Sequence, residues 1–90
     1  MVLNFIKTDA FYVAEFEATS DFNIHIERNK SGALFFQQKT TASGNYDSVP
    51  QSNFANGDLV IDVDVTALVY PKYMRIVSEV EPTLAEVTFA

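Results

Sequence analysis

The most constraining feature of this sequence is a strict two-residue alternation of apolar and polar side chains. In residues 22–28, written FNIHIER, the apolar side chains Phe22, Ile24 and Ile26 fall on one side of an extended chain, and polar side chains fall on the other. Successive side chains of a β-strand point to opposite faces of its sheet, so this pattern predicts a strand with one buried face. Residues 59–66 alternate in the same way and predict a second half-buried antiparallel strand.

Further extended segments fill most of the chain. They are rich in β-branched and aromatic residues, which favour strands, and they span residues 2–7, 11–18, 33–39, 46–49, 73–80 and 84–89. No long stretch keeps a helical period, and one helical turn around residues 66–68 is the most that we expect. About six to eight strands predict an all-β protein with little or no helix. We expect one domain, residues 1–90, folded as a compact antiparallel β-sandwich of the jelly-roll or immunoglobulin-like kind.

The segment Asn29-Lys30-Ser31-Gly32 separates the strand at 22–28 from the strand at 33–39. A turn-forming Asn at its start and a Gly at its end are typical of a four-residue hairpin loop, in which the glycine often takes a positive φ. We therefore predict that the two strands pair as a β-hairpin. Residues 40–58, rich in Ser, Thr and Asn, predict a long irregular loop that the short strand at 46–49 interrupts.

Charge and composition narrow the classes of partner and of environment. Six Lys and Arg against twelve Asp and Glu give a net charge of -6, which repels nucleic-acid phosphates and anionic lipid headgroups. The chain has no cysteine, so disulfides and thiolate metal sites are excluded. Its apolar runs are far shorter than the roughly 20 residues that span a bilayer. The early cation Lys7 follows the first apolar residues instead of preceding them, so we expect no signal peptide.

The residues that could carry chemistry have simpler interpretations. His25 is the only histidine and is expected to be a half-exposed strand residue. Asp62 and Asp64 lie on one face of a strand, about 7 Å apart, a spacing that suits Ca²⁺ or an acid/base pair but equally a solvated face. Asn29-Lys30-Ser31 matches the N-glycosylation pattern and is interpreted as a turn. The sequence thus predicts no catalytic residue, cofactor or metal, and a protein that is not an enzyme.

Four residues are candidates for contact with a partner or ligand: Phe11, Tyr46, Phe54 and Arg75. Tyr46 and Phe54 belong to the irregular loop, and loops at the rim of a sandwich commonly bind ligands, although Tyr46 is expected to pack onto the sandwich edge. Arg75 is expected to pair with a strand carboxylate or to lie along an aromatic ring, and at an interface it would be a favoured anchor. Phe11 belongs to a run of consecutive large apolar residues that must point to both faces, which predicts exposed apolar surface and an oligomer interface.

The order of segments also carries a resemblance. FNIHIER, NKSG, ALFFQQK, SGNYDSV, an acidic-faced strand, YPKYMRIVS and PTLAEVTF, over residues 22–90, resemble the small jelly-roll or immunoglobulin-like modules of tailed-bacteriophage virions, such as capsid auxiliary (decoration) proteins and head-fibre domains. The resemblance implies a non-enzymatic structural protein of the virion that binds and stabilises the shell. It implies a major capsid protein or another virion protein as partner, with a homo-oligomer or many copies on the shell.

A second resemblance leaves an alternative open. Tyr73-Met74-Arg75-Ile76, preceded by a sandwich strand, looks like discoidin-type carbohydrate-binding modules. It implies a carbohydrate-binding or adhesion module that uses the loop at residues 40–58. The chain has no Trp, the stacking platform of many sugar-binding sandwiches.

Overall fold

The computed structural model describes residues 1–49, 57–67 and 69–90. Within these residues the regular structure is entirely β, as predicted, and consists of eight strands. None of the described residues forms a helix of the length and apolarity that crossing a membrane requires. The strands are β1 (Ile6–Thr8), β2 (Phe11–Ala18), β3 (Phe22–Glu27), β4 (Leu34–Lys39), β5 (Asp47–Ser48), β6 (Val60–Val65), β7 (Lys72–Ser78) and β8 (Leu84–Phe89).

The strands form two antiparallel sheets that face each other. The large sheet has five strands in the order β1-β2-β7-β4-β5, and the small sheet has three in the order β6-β3-β8. Every strand pair within them is antiparallel. The predicted β-sandwich is therefore confirmed.

The strand order is that of a jelly roll. In a jelly roll one long hairpin folds over, so the two sheets have the orders 2-7-4-5 and 1-8-3-6. The large sheet contains β2-β7-β4-β5, and the small sheet contains β8-β3-β6. Residues 1–3 occupy the remaining edge beside β8, through a Val2–Glu86 bridge and hydrogen bonds from the Leu3 N–H to Ala85 (2.9 Å) and from the Val87 N–H to Met1 (2.8 Å). The first segment thus pairs with the last strand before β1 joins the opposite sheet.

The core lies between the sheets and follows from the alternation. Phe22, Ile24 and Ile26 are buried on the inner face of β3, as predicted, and their polar neighbours are half-buried on the outer face. Fully burying an aliphatic or aromatic side chain contributes roughly 1.5–3 kcal/mol, so these positions dominate stability. Across the core, the Phe16 and Phe22 rings meet edge to face with centroids 5.4 Å apart. The other wholly or almost wholly buried apolar side chains include Leu34, Phe36, Met74, Ile76 and Val87.

The predicted hairpin between β3 and β4 is wrong. β3 is the central strand of the small sheet, paired with β6 and β8, and β4 lies in the large sheet beside β7 and β5. Both edges of β3 are already occupied, so residues 28–33 form an arch that carries the chain across the sandwich. Gly32 has no positive φ. It is required by close packing instead, since a Cβ there would lie 2.9 Å from Val80 Cγ2 and 3.0 Å from Glu79 Oε1.

Arg28 stabilises this arch from inside. Its side chain is 4 % exposed. One guanidinium nitrogen donates to the Gly32 carbonyl at 2.7 Å, and the other donates to the Asp58 carbonyl at 2.5 Å. Burial lowers the pKa of Arg28, while the nearby carboxylates of Asp58 and Glu79 oppose that shift. The guanidinium therefore ties the arch to the segment that leads into β6, a role that sequence reasoning missed.

Two predicted strands retain no more than half of their expected residues. The segment at 2–7 becomes a single bridge at Val2 followed by β1, because residues 1–3 pair with the small sheet and β1 with the large one. The segment at 46–49 retains only Asp47–Ser48, since Tyr46 turns onto the outer face of the large sheet. The predicted helical turn at 66–68 falls partly outside the described residues, and the rest of it carries no helix.

Candidate functional site

A row of apolar side chains crosses the outer face of the large sheet. Register pairs Ile6 with Val13, Val13 with Val77, and Val77 with Phe35, on the four strands β1, β2, β7 and β4. Residues paired across strands point to the same face of a sheet. On β2, β4 and β7 the buried even-numbered residues face the core, so the row formed by these pairs lies on the outer face. We call Ile6, Val13, Val77 and Phe35 the apolar row.

Exposure varies along the apolar row. Val77, on the central strand, is 7 % exposed, whereas Ile6, on the edge strand, is 69 % exposed. Phe11 extends the row on the same face, and its ring packs edge to face on Phe35 with centroids 6.2 Å apart. The outer face of a sandwich is normally polar, so a contiguous row of this kind makes this face a candidate contact surface.

Next to the apolar row lies a cluster of charged and aromatic side chains. Tyr46 reaches over the sheet from the loop before β5, and its hydroxyl donates to Glu15 at 3.1 Å. The guanidinium carbon of Arg75 lies 3.9 Å from the centroid of the Tyr46 ring, and Lys39 Nζ lies 4.5 Å from it. Arg75 also pairs with Glu15 at 3.9 Å and donates to Gln37 at 3.3 Å. Two cations over one ring hold Tyr46 down against the sheet.

The pKa of Tyr46 reflects this packing. Partial burial raises it, and the hydrogen bond to Glu15 adds to that effect, while the charge of Arg75 opposes it. The phenol is therefore neutral at physiological pH and keeps its proton as a donor to Glu15. Both expectations for Arg75, a pair with a strand carboxylate and contact with an aromatic ring, are confirmed.

The outer face of the small sheet is chemically different. Its centre is His25, whose side chain is 31 % exposed, as expected of a half-exposed strand residue. One ring nitrogen lies 2.8 Å from Glu27 and the other lies 3.2 Å from Asp62. Glu86 is its cross-strand neighbour on β8. Hydrogen bonds to Glu27 and Asp62 raise the pKa of His25 because they favour the imidazolium.

Asn23 joins the two aspartates that the sequence placed on one face. Its amide lies 2.5 Å from Asp62 and 3.0 Å from Asp64. The hydrogen bonds that Asp62 accepts from Asn23 and from His25 lower its pKa. The carboxylates thus have protein donors as partners. Within residues 1–49, 57–67 and 69–90, no group of three or more His, Asp or Glu side chains is placed to hold a metal ion.

Three of the four residues predicted to make contacts share one face. Phe11, Tyr46 and Arg75 all lie on the outer side of the large sheet, and Phe54 lies outside the described residues. Sequence reasoning did not single out the apolar row as a unit, although doubled apolar pairs such as Ile76-Val77 are a signal for it. Comparison of the chain with models of protein families, with curated proteins and with solved structures finds no match.

Proposed function

We propose that this chain is a non-enzymatic structural protein of a bacteriophage virion, a capsid auxiliary or decoration component that binds and stabilises the shell. In this proposal the partner is the major capsid protein or another virion protein, and the chain is present in many copies. The outer face of the large sheet makes the contact.

The observation that carries the proposal is the apolar row. It runs unbroken over four strands and ends at the exposed Ile6 on the edge strand β1. Apolar surface of this kind is stabilised when it is covered by another protein. Aromatic and arginine side chains, which are the usual anchors of such contacts, lie beside the row as Phe11 and Arg75.

The architecture supports the same proposal. A jelly roll is a compact scaffold used by viral capsid proteins among others, and here the edge strands of the large sheet, β1 and β5, have only three and two residues, which limits uncontrolled strand pairing there. The outer face of the small sheet carries Glu27, Asp62, Asp64 and Glu86, so it suits a surface that remains in solvent. A protein bound to the outside of a shell needs one face for contact with the shell and one face that remains in solvent, and the two outer faces here suit these two roles.

Two exposed apolar residues provide a matched test. Ile6 lies in the apolar row and is 69 % exposed, and Val60 lies on the outer face of the small sheet and is 62 % exposed. Glutamate at either position should leave the fold intact, because neither side chain is part of the core. The purified chain and both variants would be sedimented alone and with shells assembled from a major capsid protein encoded by the same genome.

We expect co-sedimentation or self-association of the unmodified chain, weakened at least about tenfold by Ile6→Glu and nearly unchanged by Val60→Glu. A chain that stays monomeric at high concentration and binds no shell would refute the proposal. Neighbouring genes for metabolic enzymes, with none for capsid, portal or tail, would also count against it.

A further inference from the structure

A cleft opens at the end of the sandwich where the arch lies. Its volume is about 690 Å³, and its walls come from the β1–β2 turn, the arch and the loop between β7 and β8. The side chains that carry the argument are Lys7, Asp9, Tyr12, Lys30, Glu79 and Glu81. This cleft is distinct from the apolar row, which lies on the outer face of the large sheet.

At this end the inward-facing positions of β1, β2 and β7 are polar, whereas the same row stays apolar at Leu34 on β4. Along β2 and β7 these positions are apolar where Ala14 meets Ile76. The last row before the arch pairs Lys7 with Tyr12 and Tyr12 with Ser78 instead. Lys7 Nζ lies 5.9 Å from the centroid of the Tyr12 ring. The apolar core therefore ends at Leu34, and the cleft lies beside the polar part of the row.

The walls of the cleft are held by hydrogen bonds from the backbone. The Glu79 N–H donates to the Ala33 carbonyl at 2.8 Å, and the Ala33 N–H donates back to the Glu79 side chain at 3.1 Å. The Thr83 N–H donates to the Glu27 carbonyl at 2.8 Å. The buried Arg28 fixes the arch from below. A site whose walls are fixed in advance loses little conformational entropy on binding.

The charges of the cleft select a class of ligand. The lining of the cleft includes two amines, Lys7 and Lys30, and three carboxylates, Asp9, Glu79 and Glu81, so its walls carry charges of both signs. A phosphate or polyanion would be repelled by the carboxylates, and a polycation by the amines. A neutral ligand with many hydroxyls finds donors and acceptors on every side.

We infer that this cleft binds an uncharged carbohydrate, with Tyr12 as the platform for one face of a sugar ring. Tyr12 is half-buried, so its ring is held by the sandwich while part of it stays accessible. A tyrosine supplies apolar contact area and a hydroxyl together, which suits a ligand that has both C–H and O–H groups. Asn29, at the rim, adds an amide that donates and accepts.

The test is a ¹H–¹⁵N NMR titration of the full chain with glucose, galactose, mannose, N-acetylglucosamine and N-acetylgalactosamine. Sodium phosphate serves as an anionic probe. We expect at least one sugar to shift the amide signals of Lys7, Asp9, Tyr12, Asn29 and Thr83. We expect no comparable shifts from phosphate.

Three variants make the test specific. Tyr12→Ala should weaken the sugar at least about tenfold. Asp9 has a positive φ of 54°, which Asn also tolerates, so Asp9→Asn keeps the turn and removes one charged acceptor, weakening the sugar about fivefold. If Tyr12→Ala fails to fold, Asp9→Asn decides alone. Tyr46→Ala, on the outer face of the large sheet and outside the cleft lining, should leave the affinity within about twofold.

The inference is overturned if none of the five sugars shifts a signal, or if phosphate binds and the sugars do not. It is also overturned if the sugar signals map to residues 40–48 and vanish in Tyr46→Ala. These outcomes leave the proposed contact through the apolar row undecided, because Ile6→Glu tests that contact separately.

Discussion

The two outer faces of the sandwich carry different kinds of side chain. On the outer face of the large sheet β7 places Val77 beside Arg75, and Val77 is covered by apolar neighbours on β2 and β4. At the centre of the small sheet the outward residue of β3 is His25, set among carboxylates from β3, β6 and β8. The outward residues of β3 are all polar, whereas β7 adds the apolar Val77 to Tyr73 and Arg75.

The two faces also differ in how far their own residues cover or pair the outward side chains. The small sheet satisfies its outward groups with each other, through Asn23, His25 and the carboxylates, and leaves them hydrated. The large sheet leaves apolar area that its own residues only partly cover, since Ile6 stays exposed. This exposed apolar area is the reason that the proposed contact with another protein is placed on the large sheet.

The largest effect should come from placing a charge at the centre of the large sheet. Val77→Asp sets a carboxylate among Val13, Phe35 and Phe11, where burial without a partner is costly. We expect a loss of about 3 kcal/mol or more in the free energy of unfolding, measured by urea denaturation. His25→Val, at the matching position of the small sheet, should change it by less than about 1 kcal/mol. Equal losses in the two variants would contradict the contrast between the faces.

The second-largest loss in the free energy of unfolding is expected at the arch, and it tests whether the arch packs tightly against the strands it joins. Gly32→Ala puts a methyl group 2.9 Å from Val80 Cγ2, so the arch or β7 must shift, and we expect a loss of about 1–3 kcal/mol. Gly57→Ala is the matched control, because a Cβ at that position meets nothing within 4 Å. It should be neutral or slightly stabilising. Urea denaturation of both variants measures the difference, and a neutral Gly32→Ala would show that the arch packs loosely.

The sequence predicts where the strands lie better than it predicts which strands pair with each other. Alternation determines which side chains of Phe22–Glu27 face the core, because it depends only on the strand itself. It does not determine which strand lies alongside. The NKSG segment has the composition of a hairpin loop, but β3 already has β6 and β8 at its edges, so the chain crosses to the other sheet. Arg28, polar and at a strand end, carries no sequence signal of burial.

The candidate site was predictable residue by residue, but its assembly was not. Tyr46 packing on the sandwich and Arg75 pairing locally are each ordinary preferences of those side chains. That the two meet depends on the register that sets Arg75 opposite both Glu15 and Gln37. The apolar row likewise arises from the register of four strands, which a single sequence does not specify.

A smaller effect is expected where the loop before β5 closes on the large sheet. Tyr46→Ala removes the ring that Arg75 and Lys39 cover and the hydrogen bond to Glu15, for a loss of about 1 kcal/mol. Tyr46→Phe keeps the ring and should retain most of that stability. Thermal denaturation of the pair measures it. If the two variants melt together well below the unmodified chain, the hydroxyl and not the ring holds the loop.

The smallest effect is a pH dependence confined to the small sheet. The pKa of His25 is raised above 6.5 by hydrogen bonds to Glu27 and Asp62. The imidazolium form is thus favoured in the folded state, so its contribution is complete below pH 6.5 and is lost as pH rises through the folded pKa. The lowered pKa of Asp62 acts in the opposite direction, and its contribution is lost as pH falls below 3.8 through the folded pKa.

Urea midpoints measured from about pH 5.5 to about pH 8.5 should therefore fall for the unmodified chain and stay flatter for His25→Gln. Tyr46→Phe, which alters only the large sheet, should keep the unmodified slope. The outer face of the large sheet holds no histidine among the described residues, so it contributes no comparable titration near neutrality. Parallel curves for the unmodified chain and His25→Gln would mean that the carboxylates around His25 do not favour its charge. The small sheet would then differ from the large one in polarity but not in its response to pH.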